Sequence, residues 1–362
     1  MLLAPFLIGI YGLEPASQEI GVNYLRIVAL GMVFSYANPT LAGILTGQGN
    51  SKMPFYFNTF GLLLNITLDP LFIFGGGFIP AMGANGAAIA TVLSQTVVFI
   101  CFILYLKKKD SFSFSLFSRL ESAFVKPIIN VGGPVALQMS LFSAFAMVLA
   151  RIVAQWGELP LAVQSVGMQV EAISWMTAGG FATALGTFTG QNYGAGLFKR
   201  LKKGVWVTYA VASLVGVFST LLFALFGHEI YGFFLPEPEA VELGSVYLKI
   251  LAVSQLFMIW EITASGLFNG VSKSHIPSYI GIIFTALRIP MALVLGMYLG
   301  FGVEGVWWAV TISSILKGTI MLLWSTKLLY QLKQRLAKIR GKSNTKITDR
   351  EIREELAEAG CC

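Results

Sequence analysis

Charge is what this sequence has least of. Asp, Glu, Lys and Arg together make up 12% of 362 residues, about half their share in soluble domains. So sparse a charge excludes a solvated globular domain. There are three cysteines, and two of them, Cys361 and Cys362, are the last residues; they give neither a disulfide framework nor metal-ligand spacing. The two histidines, His228 and His275, fall between apolar blocks and suggest no metal or general-base chemistry. The run TGQNYGAG (189–196) is too short and wrongly placed for a phosphate loop, and suits a helix C-cap instead. No arrangement resembles a catalytic triad, zinc site or nucleotide fingerprint. These absences point away from an enzyme and from any cofactor.

What the sequence has is apolar length. Hydrophobic residues reach 56% and mean hydropathy is +0.73. Nine blocks can each cross a bilayer, which takes about 20 residues: 20–47, 53–75, 84–106, 127–155, 162–189, 204–227, 241–269, 276–300 and 304–330. The longer ones imply tilt. Residues 1–11 are too short to span and lack the basic start and A-x-A site of a signal peptide, so they read as the end of a helix begun elsewhere. The expected fold is all-α, a polytopic membrane protein of about nine transmembrane helices.

The chain is also duplicated. Glu19–Pro54 aligns without a gap to Glu242–Pro277 at an offset of 223, with 12 of 36 positions identical, and GANGAAIATVLS (83–94) is echoed by GVEGVWWAVTIS (302–313). Repeated helical units are how many membrane transporters are built. Much more helical sequence precedes the second copy than the first, which predicts roughly 100 residues absent from the front of the first half.

Lys and Arg alternate sides. Loops after the first, third, fifth and seventh spans carry Lys52, then Lys107–Lys109 with Arg119 and Lys126, then Lys199, Arg200, Lys202 and Lys203, then Lys273. The tail adds Lys333, Arg335, Lys338, Arg340 and Lys342, while the alternate loops hold only acids such as Glu158 and Glu237. The positive-inside rule therefore places the C-terminus in the cytoplasm, in a plasma-membrane protein. The net charge of +7 is accordingly a topology signal, not a nucleic-acid footprint. Two pseudo-symmetric bundles are expected: a partial N-lobe (1–106), a cytoplasmic linker (107–126), a six-span C-lobe (127–330) and a cytoplasmic tail (331–362). In the tail, TDREIREELAEAG reads as a surface helix capped by Thr348 or Asp349.

The order YLRI, GILTGQGNSKMP, NITLDPLFIFG and GANGAAIATVLSQ resembles the fourth to sixth helices of the multidrug and toxic compound extrusion (MATE) antiporters. GGPVALQ (132–138), Gln164 to Met176, TGQNYGAG (189–196) and GLFNGVSKSHIP (266–277) resemble the corresponding C-lobe signatures. The likeness covers about residues 12–330. It implies an N-terminally truncated chain holding helices four to twelve of a twelve-helix, two-lobe transporter. Such transporters exchange H⁺ or Na⁺ for organic cations or other amphiphiles by alternating access. The expected partners are such small molecules and the lipid bilayer, with no nucleic acid, and the expected state is a monomer. A related lipid-linked-oligosaccharide flippase, or a fragment without activity, is the alternative.

Ion coupling needs a carboxylate whose occupancy biases two conformations, and a charge at mid-membrane is a functional candidate by default. Three carboxylates lie within spans. Glu261, mid-way along its span in MIWEITASG, aligns with Asn38 of the first copy, so one half keeps a polar group where the other carries an ionisable one. The resemblance places the family's coupling acid three residues earlier, at Met258, so Glu261 matches by helix and depth. Glu171 shares a helical face with Gln164, Met168 and Trp175, a lining suited to cations through soft and cation–π contacts, or simply core. Asp69, before Pro70 and one turn after Asn65, can bind H⁺ or Na⁺ or serve as a kink device. A further family acid, on the first C-lobe helix, is absent here, where Gln138 and Phe142 occupy the candidate places; Asn38, Gln138 and Met258 are expected to line the substrate cleft together with Glu171, Gln164, Met168 and Trp175. Arg288 lies deep and is open to pairing with a carboxylate, and the deep residues lean acidic overall.

Overall fold

Within a bilayer every backbone N–H and C=O must be satisfied inside its own segment, so long uncharged runs fold as long helices. The computed structural model describes residues 4–9, 15–76, 79–108 and 122–342. Among the described residues eleven α-helices follow one another: α1 (Ala4–Gly9), α2 (Pro15–Gly47), α3 (Lys52–Phe74), α4 (Gly83–Lys108), α5 (Ser122–Val153), α6 (Glu158–Gly194), α7 (Phe198–Leu225), α8 (Gly227–Phe234), α9 (Pro238–Gly270), α10 (His275–Ala292) and α11 (Gly302–Lys342). Nine are long, and they match the nine expected spans in order. Eight of these are apolar enough to cross a membrane by composition alone. The ninth, α6, has the length but is diluted by Glu171, several Gln and Thr residues and many glycines.

Two elements go beyond the expected spans. The last apolar span ends at Leu332, and its helix, α11, continues unbroken to Lys342. Gln331 to Lys342 is rich in Leu, Lys, Arg, Gln and Ala, all strong helix formers. The connection after the sixth span holds a short helix, α8. The segment around Thr348 and Asp349, Cys361–Cys362 and most of the 107–126 linker lie outside the described residues.

The chain divides into two compact units, Met1–Arg119 and Leu120–Cys362. In the first, α4 is the hub. Leu41 and Leu45 of α2 pack with Val98, Phe102 and Leu106 of α4, joined by Phe57 of α3, whose ring meets Phe102 edge-on at 5.1 Å. Gly86 lets α4 touch the Phe72 carbonyl of α3, where a Cβ would collide.

In the second unit α9 is the hub, with apolar residues on every side because it is surrounded. Small residues bring its neighbours close: Gly266 and Gly270 of α9 lie against Ala182 and Gly186 of α6, the small-xxx-small pattern of membrane helix pairs. Gly318 of α11 lies on the Phe257 carbonyl, and Gly216 of α7 on Leu256. Three residues after Pro290, α10 widens into a π-helical turn, Leu293–Tyr298.

The repeat is visible in backbone detail. α2 ends in a Schellman motif, with Asn50 N–H bonded to Leu45 O at 2.9 Å and Gly49 N–H to Thr46 O at 2.8 Å, Gly49 at φ 86°. Its counterpart α9 ends identically, Lys273 to Phe268 O at 2.8 Å and Ser272 to Asn269 O at 3.1 Å, with Ser272 held at φ 57°. The expected cap in TGQNYGAG is the same motif closing α6, with Gly196 at φ 70°.

Candidate functional site

A carboxylate on a helix as apolar as α9 must find its counter-charge on another helix. Lys317 of α11 supplies it, its Nζ 3.0 Å from Glu261 Oε1, with the two side chains only 7% and 16% exposed. The neighbouring Gly318 is what lets α11 approach α9 at this level. Lys317 is the residue that a reading centred on acids overlooks, although a lysine at mid-span is itself the signal. Met258, three residues before Glu261, faces elsewhere: it is half-buried in the α6–α7–α9 core with Phe181, Ala178, Ala212 and Ile259.

Arg288 of α10 is buried, but its direct partners are hydroxyls. Its Nε donates to Ser313 Oγ at 2.7 Å and its Nη2 to Ser314 Oγ at 3.0 Å. It also lies within electrostatic reach of both Glu261 and Glu171. The interior of this unit is thus balanced, Glu171 and Glu261 against Arg288 and Lys317, where the sequence suggested an acidic lean.

Glu171 heads a polar network joining α6, α7 and α9. Its Oε1 accepts from Gln255 Nε2 at 2.9 Å and its Oε2 from the Tyr247 hydroxyl at 3.4 Å. Gln255 Oε1 in turn accepts from Ser174 Oγ at 2.9 Å, beside Ser219 at 3.3 Å. Gln164, two turns before Glu171, accepts from Trp307 Nε1 at 3.1 Å, and Trp307 packs edge-on against Tyr247 at 5.0 Å. The four expected cleft residues on α6 therefore divide. Gln164 and Glu171 are engaged with α9 and α11, while Met168 and Trp175 are 47% and 49% exposed. Tyr247, Gln255 and Trp307 are the partners that the sequence did not single out. Beyond the spans, buried Tyr231 donates to Val163 O at 2.7 Å, and burial, reinforced by the Glu171 charge, pushes its hydroxyl pKa up. Gln138 of α5 lies over Gly281 of α10, which leaves no room for a Cβ there.

In the first unit, buried Asn38 of α2 donates through Nδ2 to the backbone O and Oε1 of Gln95 on α4, at 2.9 and 2.7 Å. The α2–α4 amide pair is the counterpart of the α9–α11 ion pair. Asp69 Oδ1 accepts from Asn65 Nδ2 at 3.3 Å within α3. Among the described residues no group of three or more His, Cys, Asp or Glu is placed to hold a metal.

A buried ion pair and amide networks, set among helices long and apolar enough to cross a membrane, mark a polytopic membrane protein. The chain belongs to the MatE family, whose sequence profile matches residues 1–71 and 134–294. It is 27% identical over 332 residues to the probable multidrug resistance protein NorM of Thermotoga maritima, covering 89% of this chain and 70% of that protein. It is 28% identical over 299 residues to the probable multidrug resistance protein YoeA of Bacillus subtilis, covering 80% and 64%. The chain thus spans about two-thirds of the length of these relatives. Among solved structures, an outward-facing multidrug resistance MATE transporter of the MOP superfamily superposes with a TM-score of 0.83 at 23% identity, over 92% of this chain and 75% of that one. A MOP superfamily transporter from Pyrococcus furiosus superposes with a TM-score of 0.83 at 24% identity, over 91% and 74%. At these identities the likeness is one of fold.

Proposed function

We propose that this protein exports organic cations and related amphiphiles across the plasma membrane in exchange for protons, by alternating access, with its C-terminus in the cytoplasm. The buried Glu261–Lys317 pair is the observation that carries the reading. The surrounding interior holds two acids and two bases, so it has no spare negative charge. One added positive charge, a proton on Glu261 or a bound organic cation, is tolerable; two together repel at low dielectric. Mutual exclusion of this kind is the requirement for exchange. Protonating Glu261 also leaves Lys317 buried without its partner, a penalty of about 3–5 kcal/mol for a broken buried pair. That is enough to reverse a two-state equilibrium of modest bias. The ammonium beside Glu261 and the nearby guanidinium disfavour Na⁺ at the same carboxylate, which selects H⁺. Asp69, bonded within its own helix, acts as scaffold.

The test is ethidium or norfloxacin efflux from cells stripped of their own pumps. Efflux collapsed by a protonophore, indifferent to sodium, lost in Glu261→Gln and kept in Asp69→Asn supports the proposal. Normal efflux in Glu261→Gln, or dependence on a sodium gradient, refutes it.

A further inference from the structure

α7 opens with FKRLKKGVWVTYA, and its first three turns gather cations with no acid to answer them. Lys199, Lys202 and Lys203 are exposed and, with Trp206, Val207 and Ala210, line an open groove of about 540 Å³. The spacings 199/203/207 and 202/206/210 set these residues in two adjacent rows along one helical face. No Asp or Glu occurs between Glu171 and Glu229, and no ion pair engages these lysines among the described residues. Arg200 is turned away, its guanidinium 5.7 Å from the Phe188 ring of α6. Lys199 lies one turn before the adjacent Lys202 and Lys203, so the three ammonium groups repel one another, and the positive end of the helix dipole adds to the field. An anion relieves both.

The same face continues as apolar surface. Beyond the lysines come exposed Trp206 and Val207, then Val211, Leu214, Phe218 and Leu221 toward the far end of the span. A cationic rim that passes directly into an aliphatic wall, with an indole at the junction, matches a molecule with a phosphate at one end and a hydrocarbon chain at the other. Free phosphate would use the rim and leave the wall idle.

We propose that this groove is a binding site for an anionic phospholipid, with its headgroup phosphate on Lys199, Lys202 and Lys203 and an acyl chain along Trp206, Val207 and Ala210. The lipid ties the start of α7 to its leaflet. Near a membrane surface each lysine contributes about a fivefold gain in affinity for anionic lipid, so removing all three weakens the site by roughly two orders of magnitude.

The test uses the full chain in detergent, with thermal melting and native mass spectrometry in the presence of phosphatidylglycerol, phosphatidylcholine of the same acyl chains, or inorganic phosphate. The parent is expected to retain phosphatidylglycerol and gain stability from it beyond the gain from phosphatidylcholine, while phosphate gives no such gain. The chain with Lys199→Gln, Lys202→Gln and Lys203→Gln is expected to lose that difference while melting as the parent does in phosphatidylcholine. The Lys107→Gln/Lys108→Gln chain is expected to keep it. Retention of the difference in the triple variant overturns the proposal. So does an equal loss in the Lys107/Lys108 control, which indicates diffuse attraction, or an equal gain from phosphate alone.

Discussion

Lys317 neutralises Glu261 across the α9–α11 contact at 3.0 Å, at the level where the repeat's first copy joins Asn38 to Gln95 across α2–α4 with a neutral amide pair. One scaffold thus carries the same cross-helix link in two electrical versions, and only one of them can change charge.

The pair predicts a non-additive mutant cycle. Lys317→Met strands a buried carboxylate and is expected to destabilise by about 3–5 kcal/mol. Glu261→Gln added to it should recover much of that loss, because the double variant buries no lone charge. Thermal melts of the two single variants and the double variant check this, and additive losses would mean that the two groups do not interact.

Gln255 bridges Glu171 and Ser174 and is fully buried. Gln255→Leu removes both bonds while filling a similar volume, leaving Glu171 short of a donor. The expected loss is about 1–3 kcal/mol, with Gln255→Glu at least as harmful because it places a second acid beside Glu171. Denaturation of the reconstituted variants measures the order.

Gly43 and Gly266 occupy equivalent repeat positions but different surroundings. A Cβ at 266 collides with the Ala182 carbonyl, and one at 43 meets nothing within 4 Å. Gly266→Ala is therefore expected to destabilise by about 1–3 kcal/mol or more through overpacking, whereas Gly43→Ala should be neutral or slightly stabilising because it favours the helix. Matched thermal shifts test the asymmetry.

Ser272 holds a left-handed conformation, φ 57°, at the position where its repeat mate is Gly49. Ser272→Gly removes that strain and is expected to stabilise by about 1 kcal/mol. A fall in melting temperature would show that the serine side chain compensates for the strain.

The helices were legible because uninterrupted apolar runs admit no other backbone solution in a bilayer. Glu261 and Arg288 were legible as charges inside such runs. Their partners were harder to read. α9 carries apolar and polar residues on every side, so no stripe marks that Tyr247 and Gln255 are the ones that turn toward α6. Trp307 and Lys317 are placed by the α9–α11 crossing, which depends on Gly318 and not on any local motif. Charge beyond the span gave the run after residue 330 the look of a tail, yet helix propensity carries α11 through it to Lys342.

The central claim, that Glu261 exchanges a proton for a cationic substrate, is tested most directly by proton release. Ethidium is added to the purified protein in weakly buffered solution at a series of starting pH values while pH is followed. The account predicts a pH range in which the parent releases protons as it binds ethidium, and that Glu261→Gln binds ethidium without release throughout the series. Undiminished release from Glu261→Gln, or binding to the parent with none at any pH of the series, would contradict it.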